Sequence, residues 1–211
     1  ESLFGRAKDI SNFITVTFGR GIGLGVVING ELYAGTHGAG EFGHVTLDIN
    51  GELCECGKNG CLETIAADAA ILKRAKSLGL ISEQASFAKL KEVARLDKKL
   101  AEKAFKQSAE AVGLALANVV SIFGPELILV SGESSDGWDI WGHWLETSLR
   151  KNTMPILNKF DIELDPWDDG RWALGATAIV MSASLTKSNN DVKTIQDVRD
   201  RLRVIGGNKV S

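Results

Sequence analysis

Gly38-Ala39-Gly40-Glu41-Phe42-Gly43-His44, then nine intervening residues, then Cys54-Glu55-Cys56-Gly57-Lys58-Asn59-Gly60-Cys61-Leu62-Glu63: the fold and the chemistry of this chain turn on how that stretch is read. It contains every cysteine of the chain. Three cysteines within eight residues are not the dispersed, even set of a secreted disulfide framework, so they read as ligands rather than staples. With His44 they give the spacing His-x9-Cys-x-Cys-x4-Cys. Three thiolates and one imidazole are a ligand set for tetrahedral structural Zn²⁺, with no position left for water or substrate. Gly43, Gly51, Gly57 and Gly60 give the loop the freedom to turn its ligands inward. The plainer alternative is three buried small apolar residues and an unrelated histidine. Glu55, Lys58 and Asn59 are polar company for that. A Cys-x-Cys redox pair is the weakest alternative, because no helix-starting Cys-x-x-Cys is present.

On the N-terminal side, residues 1–9 read as the tail of a helix with Leu3, Phe4 and Ala7 on one face and no cap before them, so the chain is expected to begin in mid-domain. Residues 13–18 and 25–29 read as extended, and Asn29-Gly30 before Glu31-Leu32-Tyr33 is a hairpin-turn signal. Between the extended runs lies Gly19-Arg20-Gly21-Ile22-Gly23-Leu24-Gly25, whose backbone amides could form an anion-binding concavity. It opens no helix and carries no Lys-Ser/Thr, so it is neither a dinucleotide fingerprint nor a Walker loop. A tight hairpin needing positive φ explains those glycines equally well.

On the C-terminal side the period becomes helical. A helix is expected over 63–78 with Gly79 as its stop, a short segment from Ser86, and a long helix from about 97 to 123 ended by Gly124-Pro125. A buried strand at 127–130, an aromatic helix at 138–150, a strand near 161–164 and a small-residue helix from about 172 to 184 follow. A hairpin, an irregular lobe and then alternating strands and helices make an α/β architecture. Trp138, Trp141 and Trp144 have the spacing of a packed helix face rather than of sugar-stacking platforms, and Trp167 and Trp172 lie further on. The tail, 187–211, is polar and is given no role.

The 211 residues, 44% hydrophobic and 24% charged, suit an ordinary globular chain. A net charge of -3 without a dense Lys/Arg block offers no nucleic-acid surface, so any DNA contact is expected elsewhere. No apolar run approaches the roughly 18–20 residues of a membrane span and no targeting pattern opens the chain, which makes the cytoplasm the default location.

Residues 13–66 closely resemble the ROK family of repressors, open reading frames and sugar kinases, through Gly19 to Gly25, the run 29–35, the block ending at His44 and the block from Cys54 to Glu63. Weaker similarity continues to about Ser184, through Phe123-Gly124-Pro125-Glu126 and Leu174-Gly175-Ala176. The resemblance implies an actin-like ATPase (ribonuclease H-like) fold, usually dimeric, here its C-terminal lobe with a zinc-binding loop. A sugar would lie in a cleft between two lobes, Glu41 and Glu63 contacting its hydroxyls, and His44 binding zinc while lying against the sugar. Carboxylates suit that role, since they accept hydrogen bonds from vicinal hydroxyls. A solvated loop acid and a helix-start acid favoured by the dipole are the bland alternatives for Glu41 and Glu63.

The chain departs from the family's kinases. Their first phosphate loop and catalytic Asp belong to an N-terminal half that is not in this sequence, so no catalytic residue is assigned and the chain alone is not expected to transfer phosphate. Arg20 stands where those kinases carry Thr within the phosphate-loop-like Gly19, Arg20, Gly21 and Gly23, and Val130-Ser131-Gly132-Glu133 lacks paired glycines and adds a charge that repels phosphate. The expectation is a sugar-sensing effector domain, residues 1–186, of a xylose-repressor-like ROK regulator. It would hold structural zinc, bind a monosaccharide, form a homodimer and reach DNA only through an N-terminal winged helix outside this chain. The rival is the C-terminal half of an ATP-dependent glucokinase or fructokinase, with Arg20 clamping a phosphate bidentately. A third reading makes the cysteine lobe a platform for oligomerisation only.

Overall fold

The computed structural model describes residues 6–36, 39–165, Gly170 and Thr177. Among these, five strands form one sheet in the order β3-β2-β1-β4-β5. β1 (Phe13–Phe18), β2 (Ile22–Ile28) and β3 (Glu31–Leu32) make an antiparallel half, and β4 (Leu127–Ser131) and β5 (Asp161–Leu164) add a parallel half beside β1. The hairpin from β2 to β3 closes through Asn29 and Gly30 at φ 53° and 79°. Both central residues of a type I′ turn need positive φ, and Asn-Gly supplies them at little cost.

Parallel neighbours need a crossover, and five helices provide two. α1 (Leu62–Ala66), α2 (Asp68–Ser77), α3 (Phe87–Leu96) and α4 (Lys98–Phe123) connect the antiparallel half to β4, and α5 (Trp138–Asn152) connects β4 to β5. Caps set the ends. The Ser86 side chain accepts from the Lys89 amide, the Asp97 carboxylate accepts from the Lys99 and Leu100 amides, and Gly124 at φ 53° closes α4. Ile14, Val16 and Phe18 of β1 join Ile128 and Val130 of β4 in the main core with the helices, while Phe13, Val27, Leu127 and Leu129 face the other way with Ala7. All of β4 is buried, as an interior parallel strand requires. α4 and α5 cross tightly at Gly113, where a Cβ would fall 2.4 Å from the Leu145 carbonyl oxygen.

Three expectations change. The helix expected over 63–78 breaks at Ala67, whose ψ is 157°. Tertiary partners override the local period: the Asp68 amide donates to the Gly19 carbonyl at 3.1 Å, and the Ser134 hydroxyl lies 2.7–2.8 Å from the Asp68 carboxylate. β2 starts at Ile22, so Gly23 and Gly25 pair with Thr17 and Thr15 inside the sheet and only residues 19–21 turn. None of Gly19, Gly21, Gly23 and Gly25 has positive φ, so turn geometry does not explain them; close approach does at Gly21 and Gly23, where a Cβ would lie 3.2 Å from Glu63 Oε2 and 2.8 Å from Thr17 Oγ1. Residues 6–9 form a turn closed by the Ile10 amide on the Ala7 carbonyl. Residues 1–5, the helix expected at about 172–184, Trp167, Trp172 and the tail 187–211 lie outside the described residues. Trp141 is buried edge-on against Phe18, with ring centroids 5.1 Å apart, as a packed face predicts. No helix among the described residues is long and apolar enough to cross a membrane.

Candidate functional site

The loop between β3 and α1 folds as two small knuckles. A 3-10 turn at Phe42–His44, anchored by buried Phe42, delivers His44, and the Leu62 amide then donates to the Val45 carbonyl at 2.9 Å, bringing Cys61 alongside. In the second knuckle the Cys54 amide donates to the Lys58 carbonyl at 2.8 Å and the Gly57 amide to the Cys54 carbonyl at 2.9 Å. Gly60, at φ 66°, has no room for a side chain, since a Cβ would fall 1.5 Å from the Asp48 carbonyl oxygen. The Lys58 ammonium caps the His44 carbonyl at 2.6 Å.

These turns gather one ligand atom from each of His44, Cys54, Cys56 and Cys61 within 4.8 Å of one another. Cys54 Sγ lies 3.5 Å from His44 Nδ1 and Cys56 Sγ lies 3.6 Å from Cys61 Sγ. Neither contact is covalent, and the cysteines are free thiols. Zinc bonds of about 2.0–2.3 Å give a tetrahedron whose edges run about 3.5–3.8 Å, so the observed separations fit such an ion. Burial, reinforced by the neighbouring Cys56 and Cys54, pushes the Cys61 thiol up to about 11, whereas the backbone amide of Lys58 holds Cys56 below the ordinary thiol value. Thiols this close cannot all ionise unaided, and a divalent cation resolves that conflict. The cluster could therefore hold a metal ion.

Next to the cluster is a cleft of about 350 Å³ lined by the Gly19–Gly21 turn, Gly23, Glu41, Glu63, Gly132 and Glu133. Gly40, at φ 90°, presses against Leu24, and the Leu24 amide donates to its carbonyl at 2.9 Å, which carries Glu41 to the cleft's edge. Glu63 follows Cys61, the N-cap of α1, by two residues. Its carboxylate occupies a slot between two glycines: a Cβ on Gly43 would lie 2.7 Å from Glu63 Oε2, and one on Gly21 would lie 3.2 Å from it. Glu133 flanks Gly19 with the same kind of spacing, 3.6 Å. His44 does not line the cleft. Its Nε2 faces Glu41 Oε2 at 4.0 Å, so the imidazole stands between the sulfur cluster and the cleft's acid. Arg20 is exposed and lines both this cleft and a second cavity of about 610 Å³.

Of the residues singled out in the sequence, Glu41, Glu63, Gly19, Arg20, Gly21 and Gly23 share one cleft, and the four candidate metal ligands gather at one point. Sequence reasoning missed Asp68 and Ser134, which clamp the Gly19 turn, and it missed the second cavity, where Lys73 pairs with Glu52 at 2.8 Å and the Arg74 guanidinium bonds the Ala104 carbonyl at 2.7 Å. Neither had a local signal. Burial raises the Asp68 pKa, opposed by the hydrogen bond from Ser134.

The family model described as the ROK family matches residues 1–183. The chain belongs to the ROK family. Among its curated ROK relatives, a putative xylose repressor of Caldicellulosiruptor sp. (strain Rt8B.4) is 31% identical over 198 residues, covering 88% of this chain and 50% of the relative. The DNA-binding transcriptional dual regulator NagC of Escherichia coli (strain K12) is 30% identical over 200 residues, covering 88% and 48%. This ROK chain spans about half the length of such relatives. Among solved structures, a ROK transcriptional regulator that is a homolog of the E. coli MLC protein superposes with a TM-score of 0.69 at 30% identity, covering 79% of this chain and 44% of that one. A ROK glucokinase from Streptomyces griseus, in complex with glucose and AMPPNP, gives 0.69 at 28%, covering 78% and 58%. The mixed sheet with its helical layer is thus the actin-like sugar-kinase fold shared by regulators and kinases of the ROK family.

Proposed function

We propose that this chain is the sugar-sensing part of a ROK transcriptional repressor. In this reading His44, Cys54, Cys56 and Cys61 hold a structural zinc ion, and Glu41 and Glu63 accept hydrogen bonds from the hydroxyls of a monosaccharide. The observation that carries it is the charge of the cleft. Three carboxylates, Glu41, Glu63 and Glu133, face one guanidinium, Arg20, among the described residues that line it. Two of those carboxylates flank the glycine turn itself, Glu133 beside Gly19 and Glu63 beside Gly21. A nucleotide triphosphate would bring several negative charges to these acids, each pair at about 4 Å costing about 1–4 kcal/mol at a solvated to partly buried site. A neutral polyol brings hydroxyl donors, and a carboxylate is a strong acceptor for them.

All four positions on the ion would be filled by protein atoms, so its contribution is to fix the loop rather than to polarise a substrate. The residues of the chain do the recognition. Cys61 and Leu62 deliver Glu63, the slot between Gly21 and Gly43 holds its carboxylate, and Glu41 stands at the cleft's exposed edge, 4.0 Å from His44 Nε2. A cleft set in advance loses little ordering entropy when the sugar arrives. Sugar binding then favours one lobe arrangement of a homodimer, and DNA-binding elements outside this chain follow that population shift. Residues 1–186 form the sensing domain, 187–211 are a polar tail, and the protein works in the cytoplasm. The names of the relatives put pentoses and N-acetylhexosamines into the test set.

Calorimetry of the full-length protein against a panel of pentoses, hexoses and N-acetylhexosamines, and against magnesium-ATP, decides the matter. Saturable binding of one monosaccharide with no heat from the nucleotide is expected. Silence across the whole panel, or nucleotide binding tighter than any sugar, would overturn the assignment.

A further inference from the structure

The ligand cluster is asymmetric in its exposure. Cys54 and Cys61 are buried, while Cys56 is exposed at the tip of the second knuckle. Its Sγ stands 3.6 Å from Cys61 Sγ, so closing a disulfide of about 2.05 Å would need a movement of about 1.5 Å in total. The Cys56 side of that gap is loosely packed, because Gly57 follows it at φ 89° with no atom within 4 Å of where its side chain would begin. The Cys61 side is fixed by Leu62, which is fully buried, and by Gly60 wedged on Asp48. An exposed sulfur at an open tip faces a buried sulfur on an anchor.

We propose that Cys56 is an oxidation site and Cys61 its resolving partner, making the loop a peroxide-sensitive latch on the cleft. A hydroperoxide would be attacked by the Cys56 sulfur, which breaks the O–O bond, takes one oxygen as a sulfenic acid and releases hydroxide or alkoxide. The Cys61 sulfur would then attack the sulfenic sulfur, form the Cys56–Cys61 bond and release water, so that two thiols supply the two electrons that reduce one peroxide. The loop loses two of its four ligand atoms. Cys61 is the N-cap of α1, two residues before Glu63, so the change reaches the cleft through one turn of backbone. The disulfide does not depend on the sugar reading; only its effect on the cleft does.

The sequence supplies its own test. Lys58 separates Cys56 from Cys61, and Glu55 separates Cys54 from Cys56. The full-length zinc-loaded protein is treated with hydrogen peroxide, then cut at lysine and glutamate without reduction. The expected product is a cross-link between the peptide holding Cys56 and the peptide holding Cys61, appearing in step with zinc release to a chromogenic chelator and reversed by dithiothreitol. A Cys54–Cys56 or Cys54–Cys61 link, sulfinic acid at Cys56 without a cross-link, or zinc retained through full oxidation would each overturn the proposal. Peptide mapping of the unmutated protein does not rely on any variant folding, and Cys56→Ser should abolish the cross-link. A reduced protein that binds no sugar but still forms the cross-link would leave the latch standing and remove the sensing function.

Discussion

The Gly57–Gly60 knuckle and the Gly19–Gly25 run are both glycine-rich, yet glycine does different work in each. In the knuckle Gly57 and Gly60 sit at φ 89° and 66°, so the backbone itself needs them. In the run no glycine has positive φ, and two of them leave room for a neighbour's side chain, Gly21 for Glu63 and Gly23 for Thr17. The knuckle is a backbone conformation that gathers four candidate ligands, whereas the run is a surface shaped by neighbouring side chains. A mutation in the first should therefore move metal affinity, and a mutation in the second should move ligand affinity.

The largest effect is expected from Cys61→Ala. It removes a buried ligand and leaves a gap beside Leu62, so metal affinity should fall by more than the roughly 10–100-fold typical of changes to groups that only support a ligand. Competition against a chelator of known affinity measures it, and elemental analysis of the unaltered protein should find one zinc per chain. Affinity should also fall as pH falls, because the thiols must lose protons to bind. In the metal-free protein the sign differs. Cys61 is raised to about 11, so the protonated thiol is the form the fold prefers. Its contribution is complete below the ordinary thiol value and is lost as pH rises towards 11. Melting curves of chelated and zinc-loaded protein should therefore diverge further at alkaline pH.

Gly60→Ala against Gly57→Ala sharpens the comparison within the knuckle. Both require a left-handed alanine, costing about 1–2 kcal/mol. Only at Gly60 does the new Cβ also meet the Asp48 carbonyl, at 1.5 Å, whereas at Gly57 it meets nothing within 4 Å. Gly60→Ala should behave like a ligand mutant in the chelator competition, and Gly57→Ala should cost only the conformational term. Equal losses would show that the knuckle is not wedged against Asp48.

Much of this was legible because the signals are local. Asn29-Gly30 predicts its own dihedrals, Ser86 and Asp97 announce the helices they cap, and ligand spacing needs no neighbours to be read. The ligand cluster came from the same kind of signal, whereas the two cleft acids came only from the family resemblance. What failed was decided across the fold. Nothing between 63 and 78 marks Ala67 as a break, because the groups that break the helix are the Gly19 carbonyl and the Ser134 hydroxyl. The start of β2 at Ile22 was hidden for a related reason. Gly23 and Gly25 look like turn residues until their partners Thr17 and Thr15 are known.

On the cleft side of the comparison, Glu63→Gln keeps the shape of the slot and removes the charge. A charge-assisted hydrogen bond is worth about 1.5–3 kcal/mol, so sugar affinity should fall roughly 10–150-fold at about 1.4 kcal/mol per decade. Zinc content should not change. Gly43→Ala should cost more, since the added carbon would lie 2.7 Å from Glu63 Oε2 and 2.9 Å from the Ile22 carbonyl oxygen, and so strain the turn that carries His44. A loss of zinc in Glu63→Gln would mean that slot and cluster are one unit, and the contrast between the two regions would fail.

The smallest effect concerns the clamp behind the turn. Asp68 is half-buried, and burial raises its pKa while the Ser134 hydroxyl works the other way. A carboxyl raised in the folded state contributes most below its ordinary range and loses that contribution as pH rises through the raised value, so at neutral pH the ionised group is a net cost to the fold. Asp68→Asn keeps an acceptor for Ser134 and leaves the backbone bond to Gly19 in place, so it should change the melting temperature at pH 7 by little, and upward rather than downward. It should also flatten the dependence of stability on pH just above the ordinary carboxylate range. The pair gives opposite signs for two possible roles. If Asp68 served the fold through its charge, by way of nearby Lys91, the amide would destabilise at neutral pH and the slope would survive. Removing the charge while keeping the hydrogen bond thus tests whether the glycine run is positioned by shape, as its lack of positive φ implies, or by electrostatics.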